Sequence, residues 1–327
     1  MNHDPADRLR VLVFGAGVLG SFYAARLAGA GHDVTVLARG RRYLDLERHG
    51  IVLEYFDTEE RTITPVQVVD RMPVEQRFDV CLVLVRKTQL AEALPVLATG
   101  AGVAAFLFMV NTAEGPQAMI DAVGRERVLL GFANAGGERD GHLVRVMEAR
   151  RGGVTLGELD GVRSERLERF TAAFRDAGFR VDLSADMDAW LRYHVALVAP
   201  FANALYAVGA DNVALANDPT TMRLVVHAVR EAIGVVRAHG FPVEPRALRL
   251  LAWLPDALLL PLLRRKIASP IMDIAGVRHA VAARDEMTAL DAELLALARA
   301  AAIDTPAMTE LRRRAGGPLP ASREDAR

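Results

Sequence analysis

The sequence predicts an α/β domain built on a parallel sheet, followed by an all-helical domain, and three observations predict it. The first is the stretch from Val11 to Arg39, where an apolar run, a glycine-rich turn, a helical stretch and a second apolar run fit within one βαβ unit. The second is a pair of later runs of strand length, Phe78 to Val85 and Val103 to Val110, which are continuously apolar, as strands covered on both faces are. The third is a change of pattern near Asp186, after which long apolar-periodic helices follow with no strand signal. The implied domains are 1–185, binding a nucleotide, and 186–327, a helical domain for substrate and dimerisation with a loose tail.

Val11 to Phe14 reads as the first strand and leads into Gly15-Ala16-Gly17-Val18-Leu19-Gly20, a G-x-G-x-x-G pattern. Gly15 allows a tight turn, Gly17 lets backbone N–H groups approach a pyrophosphate with no Cβ in the way, and Gly20 lets the helix pack against the strand. The pyrophosphate then sits at the positive end of the helix. These features predict a Rossmann-type doubly wound sheet. After the second strand, Val34 to Leu37, an NAD site usually carries a carboxylate for the ribose 2′-OH. This chain has Ala38-Arg39-Gly40-Arg41-Arg42 instead. An arginine binds a 2′-phosphate with paired N–H donors, so NADP(H) is the expected cofactor and Arg39 its expected partner. A solvated basic loop is the alternative, more so for Arg41 and Arg42.

Composition bounds the rest. A chain of 327 residues has room for two cores, and 51% hydrophobic with 25% charged residues is a globular balance. A formal net charge of -1 gives no electrostatic footprint for nucleic acid. The single cysteine, Cys81, lies in an apolar run and reads as a buried strand residue; a chain with one cysteine suits a reducing cytoplasm. The polar start, MNHDPADRLR, has no apolar targeting core and reads as a loose tail. Leu248 to Leu263 is interrupted by Arg249, Pro255, Asp256 and Pro261, too broken to span a bilayer, and reads as a buried helix pair. The expected partner is a small-molecule substrate, with no membrane, no nucleic acid and no metal; a homodimer is left open.

The remaining elements follow in order. Gly50 to Val69 reads as an inserted hairpin around a polar turn at Asp57 to Arg61. Phe78 to Val85 ends in Arg86-Lys87-Thr88-Gln89, and ligands in open α/β sheets bind beyond the carboxyl ends of strands, so this cluster is expected to face the cofactor; a solvated helix start is the alternative. Gln89 to Leu97 is helical, and Val103 to Val110 ends at Asn111. Topology puts that amide near the nicotinamide end, where it can bond ribose or substrate, although asparagine also ends strands by closing turns. Pro116 to Val123 is a helix, and Val128 to Phe132 and Leu143 to Met147 are strands around a turn at Gly136 to Gly141. Thr155 to Leu159, the helix Arg166 to Ala177 and Arg180 to Leu183 complete the first domain. Helices are then expected at Met187 to Val208, Thr220 to His239, Arg246 to Leu254, Val281 to Ala302 and Pro306 to Arg314, before a Gly316-Gly317-Pro318 break and a polar tail. Arg312 to Arg314 read as a solvated helix end.

Together these features resemble the ketopantoate reductase (2-dehydropantoate 2-reductase) family over nearly the whole chain. The strongest match is Gly15 to Gly20 followed by Gly31-His32-Asp33-Val34, like the family's G-x-G-x-x-G and GH-[DE]-V pattern. The resemblance implies NADPH-dependent reduction of a small 2-oxo acid to a 2-hydroxy acid. It implies that Asn111 is the family's strand-end asparagine, with Thr112 where the family has glycine. It implies that Glu286, twenty residues before Pro306, is the glutamate that touches cofactor and substrate, with Asp285 in place of the family's threonine. Gln89 falls on the glutamine after the third buried strand, which puts Arg86 at the family's lysine.

The largest departure is on the helix that the family writes W-[RK]-K-x-x-x-N-x-x-x-N. Here it reads Trp190-Leu191-Arg192 onward, with Arg192 in place of the catalytic lysine and Ala196 and Pro200 in place of both asparagines. A guanidinium keeps its proton, so Arg192 suits holding a carboxylate or stabilising alkoxide charge, not donating a proton. His194 is a donor candidate by its ordinary pKa, although two residues of helix turn it roughly 200° from Arg192. Asn203, eleven residues on and so about three turns away, shares the Arg192 face and can stand in for the lost amides; bonding a neighbouring helix is its alternative. Ser269 is the serine nearest the family's. The leading expectation is an NADPH-dependent reductase. The alternatives are a non-catalytic NADP-binding sensor and a dehydrogenase of the same superfamily acting on another substrate.

Overall fold

The computed structural model describes residues 8–56, 58–148 and 153–316; the polar N-terminal stretch, Asp57 of the expected turn and the tail from residue 317 lie outside the described residues. Contacts divide the chain into two units. One runs through Asn111 and resumes over Pro116–Asp188, and the other gathers Thr112–Gly115 with the chain from Ala189 onward.

The first unit opens with β1 (Arg10–Phe14), α1 (Val18–Gly29), β2 (Asp33–Leu37) and α2 (Gly40–His49). Next come β3 (Ile51–Tyr55), β4 (Arg61–Thr64), β5 (Gln67–Val69), β6 (Val80–Val83), α3 (Lys87–Ala98), β7 (Phe106–Phe108) and α4 (Gln117–Val123). It closes with β8 (Val128–Ala133), β9 (Ala135–Asp140), β10 (Leu143–Glu148), β11 (Gly153–Glu158), α5 (Glu165–Asp176) and β12 (Arg180–Leu183). Eight of these strands form one sheet in the order β12-β11-β8-β7-β6-β1-β2-β5. β1 pairs in parallel with β2 on one side and β6 on the other. The chain therefore winds one way from β1 and returns to wind the other, and the carboxyl ends of β1 and β6 mark the switch point where such sheets bind ligands. Cys81 of β6 is buried as expected, and burial pushes its thiol pKa up.

The expected hairpin is present as β3 and β4, but it belongs to a second sheet of order β4-β3-β10-β9. The segment read as a turn, Gly136 to Gly141, is mostly strand β9, which pairs antiparallel with β10 and turns only at Gly141 and His142. The reason lies at Gly137, where a Cβ would stand 2.1 Å from the Arg145 carbonyl oxygen and 3.0 Å from Val18 Cγ1. This glycine lets a strand and a helix approach; it does not make a turn. α1 packs on both sheets, which is why Phe22, Tyr23, Ala24, Ala25 and Leu27 are all buried and its hydrophobicity is not confined to one stripe. Tyr23 stacks on Phe179 with ring centroids 4.7 Å apart.

The second unit is helical, and no strand occurs in it among the described residues. It contains α6 (Met187–Ala207), α7 (Asn212–Asn217), α8 (Pro219–Ala238), α9 (Leu248–Trp253), α10 (Asp256–Ile267) and the single turn α11 (Pro270–Met272). A π-helical stretch, Asp273–Arg278, leads to α12 (His279–Ala282), α13 (Arg284–Ala300) and α14 (Pro306–Ala315). Side chains of α6, α8, α13 and α14 supply most of its core. The expected buried helix pair is corrected here. α9 spans only six residues, Pro255 separates it from α10, which runs on through Pro261, and the apolar residues of both are spread around the helices. Among the described side chains of these two helices only Leu248, Leu259 and Ile267 are buried, while Leu250, Leu258 and Leu262 are exposed and Trp253 is 85% exposed. No helix among the described residues is long and apolar enough to cross a membrane.

Candidate functional site

The glycine-rich turn has two kinds of glycine. Gly15 has φ +110°, and a Cβ there would stand 2.3 Å from the Leu84 carbonyl oxygen just beyond β6. A Cβ on Gly20 would stand 1.8 Å from the carbonyl oxygen of Gly15. These two serve close packing of turn, helix and sheet. Gly17 is exposed, and an added Cβ would meet nothing within 4 Å. Ala16, Val18 and Leu19 pack their side chains against the core, leaving backbone at the rim. No side chain caps α1, and its first turn holds no acidic residue. An open glycine at the positive end of a 12-residue helix fits the pyrophosphate of a dinucleotide.

Beyond β2, Arg39 is the N-cap of α2 and is exposed with Arg41; no acidic residue occupies the first turn of that helix. Arg42, grouped by sequence with the solvated run, is instead buried, and its guanidinium is held by three acceptors in this unit. Burial, with Arg139 adding repulsion, pushes it down to about 10, so it stays protonated at neutral pH. Beyond β6, Arg86 is exposed as the N-cap of α3, and its backbone N–H donates to Gln89 Oε1 at 3.1 Å. Gln89 thus closes its own helix start. Asn111 follows β7 and is half-buried. Because β7, β6, β1 and β2 are parallel neighbours, Asn111, Arg86, the glycine turn and Arg39 share one edge of the sheet.

Arg192, His194, Asn203 and Glu286 belong to the second unit. Arg192 is buried on α6, donates through Nη1 to the Ala113 carbonyl and through Nη2 to that of Glu114 at 3.0 Å, and lies 4.2 Å over the Phe241 ring. Glu293, buried on α13, accepts from the N–H groups of the same two residues at 2.6 and 3.2 Å. A cation and an anion therefore grip opposite sides of one short backbone segment, the one that directly follows Asn111. Sequence reading missed Glu293. Its signal was the spacing of seven from Glu286, which puts both on one face of α13, where Leu290 and Leu294 are also buried. Glu286 is buried in the first turn of that helix, and Asn203 is buried on α6.

His194 is half-buried, with its ring stacked on Trp190 at 5.4 Å. Burial, and then the nearby His279, push it down to about 4, so it carries no imidazolium proton to donate near neutrality. The linkage has a definite sign. A histidine depressed in the folded state leaves stability intact above its unfolded pKa of about 6.5 and lowers it as pH falls from there toward about 4. That loss runs at up to about 1.4 kcal/mol per pH unit. His194→Gln should flatten this part of a urea-denaturation pH profile; an unchanged slope between about pH 6.5 and 5 would contradict the assignment. Among the described residues no group of three or more His, Cys, Asp or Glu side chains could hold a metal ion.

A switch-point sheet with an open glycine turn at a helix N-terminus, joined to a helical unit, defines an oxidoreductase of the NAD(P)(H)-dependent class. The profile of the family "Ketopantoate reductase PanE/ApbA" matches residues 11–161, the stretch that carries the glycine-rich turn and most of the first unit. A 2-dehydropantoate 2-reductase of Halobacterium salinarum is 29% identical over 239 residues, covering 72% of this chain and 78% of that protein. One of Aquifex aeolicus is 25% identical, covering 72% and 74%. Among solved structures, 2-dehydropantoate 2-reductase from Geobacter metallireducens shares the fold with a TM-score of 0.73 at 20% identity, covering 94% of this chain and 99% of that one. D-mandelate dehydrogenase with NADH and anilino(oxo)acetate shares it with a TM-score of 0.75 at 13% identity, covering 93% and 97%.

Proposed function

We propose that the chain is an NADPH-dependent reductase of a small 2-oxo acid. The observation that carries this reading is the start of α2, where exposed Arg39 and Arg41 flank Gly40 and no carboxylate is present to take a ribose 2′-OH. A dianionic 2′-phosphate is favoured there by charge and by the paired N–H groups of arginine. In this reading Gly15, Ala16, Gly17, Val18, Leu19 and Gly20 hold the pyrophosphate, Arg39 the 2′-phosphate and Arg86 the same edge. Asn111 and Glu286 are assigned to cofactor and substrate. NADPH, when bound, supplies hydride to the carbonyl carbon, and the carbonyl oxygen takes a proton, so a 2-oxo acid leaves as a 2-hydroxy acid. Arg192 acts through the segment it grips, and Asn203 is assigned to the substrate's polar groups. Oxidation of NADPH over a panel of 2-oxo acids, ketopantoate among them, tests the proposal. Turnover of at least one member is expected, and tight NADPH binding with no turnover of any would overturn it.

A second reading is favoured by α6, where Ala196 and Pro200 are buried in place of the family's two asparagines and Arg192 already serves two backbone carbonyls. Such a chain could bind NADP(H) as a sensor, or act on another substrate, as D-mandelate dehydrogenase does on the same fold. Product identification separates a different 2-hydroxy acid from ketopantoate chemistry. A gain of ketopantoate turnover in Arg192→Lys would favour the reductase over the sensor.

A further inference from the structure

Arg42 differs from its neighbours Arg39 and Arg41 by facing inward. It lies four residues before Leu46 on α2, and these two residues form the buried face of that helix. Its Nε donates to the carbonyl oxygen of Ala16 at 3.0 Å, Nη2 to Ser21 Oγ at 2.8 Å, and Nη1 to the carbonyl oxygen of His142 at 3.3 Å. The Ser21 hydroxyl in turn donates to the Ala16 carbonyl at 3.5 Å, closing a ring of bonds around one peptide. That peptide joins Ala16 to Gly17 in the middle of the G-x-G turn. A trans peptide holds its C=O and N–H on opposite sides of the chain. Fixing the Ala16 carbonyl toward Arg42 therefore fixes the Gly17 N–H away from it, at the glycine whose surroundings are open. Without that restraint a glycine peptide is the one most free to flip.

We propose that Arg42 is a positioning residue for the dinucleotide: it locks the Ala16–Gly17 peptide so that the Gly17 N–H is presented to the pyrophosphate, and it sets a buried positive charge behind the turn. The inference rests on the reading that this turn binds NADP(H), and it gives the two kinds of arginine on α2 different tasks. Arg39 distinguishes NADPH from NADH. Arg42 acts on the part that both dinucleotides share.

The experiment is titration of NADPH and of NADH into the full-length wild type, Arg42→Met and Ser21→Ala, well below their melting temperatures, with the melting temperature of each ligand-free protein recorded. Arg42→Met should weaken NADPH and NADH by the same factor, about ten-fold or more, which corresponds to losing one good charge-assisted hydrogen bond. Ser21→Ala keeps the charge and removes one anchor, so it should show the same pattern with a smaller factor; it carries the test if Arg42→Met does not fold. Loss of NADPH affinity alone would overturn the proposal, because Arg42 would then be reading the 2′-phosphate. A lowered melting temperature with both affinities unchanged would also overturn it, leaving Arg42 a structural residue only. A wild type that binds neither dinucleotide would overturn the nucleotide reading itself, whereas a wild type that binds both, with variants that bind equally well, overturns only the role of Arg42.

Discussion

Arg192→Ala should destabilise the helical unit by about 3 kcal/mol, the loss of two hydrogen bonds from a charged donor to a buried segment together with a cation–π contact. Its two Nη groups bond the carbonyls of Ala113 and Glu114, and its face covers Phe241. Alanine leaves the Ala113 carbonyl, in a residue that is itself fully buried, without that donor, and Glu293 still bonded to the N–H side. Arg192→Lys should cost less but not nothing, since an ammonium is a point charge and does not reproduce a planar fork spanning two carbonyls. Glu293→Gln keeps an acceptor oxygen but loses the charge, and about 1 kcal/mol is expected. Urea unfolding monitored by Trp fluorescence and by circular dichroism measures all three. An Arg192→Ala protein as stable as wild type would mean that the grip on Thr112–Gly115 contributes nothing, and Arg192 would have to be sought in substrate binding alone. Because the gripped segment begins one residue after Asn111, loosened stability and weakened turnover should appear together in this series.

The backbone course of the nucleotide half was legible because its signals are local. Three glycines at fixed spacing, two apolar runs and a missing carboxylate all act within a few residues of one another, and the fold packs backbone closely against Gly15 and Gly20 while leaving the surroundings of Gly17 open. What was not legible depends on contacts between distant residues. The glycines at 136 and 137 looked like a turn because a strand paired on a neighbour and crossed by α1 leaves no local mark. Arg192 looked like a substitute for a catalytic lysine, and nothing in its neighbourhood announced carbonyls some eighty residues earlier in the chain. Arg42 and Glu293 lie between these extremes. Each shares a helical face with buried leucines, Leu46 for the first and Leu290 and Leu294 for the second, a periodicity that marks an inward-facing charge and that the sequence reading left unused. Inward charges need partners, and only the fold says which. α9 and α10 misled for the opposite reason: a high count of leucines reads as a core, yet two helices parted at Pro255, with leucines all round them, cannot turn all of them inward.

Arg39→Ala should weaken NADPH by about 2 to 3 kcal/mol, roughly 30- to 150-fold in Kd, while leaving NADH within about two-fold. The residue is exposed in extended backbone at φ -126°, ψ 157°, so its replacement disturbs neither a core nor a strained conformation. What it removes is a planar cation at the start of a helix whose first turn carries no opposing carboxylate. A 2′-phosphate is the only group that distinguishes the two dinucleotides, so a specific contact must appear as a change in their ratio and not in both affinities. The same contact is charge-assisted and exposed, so the wild-type preference for NADPH should shrink as ionic strength rises, and the variant's weaker preference should respond less. Arg41→Ala should act in the same direction with a smaller factor, because its neighbour remains. A ratio unchanged in Arg39→Ala would place the 2′-phosphate elsewhere or make NADH the cofactor, as in D-mandelate dehydrogenase on this fold. The contrast with Arg42→Met, which should move both dinucleotides together, makes the pair of variants more informative than either alone.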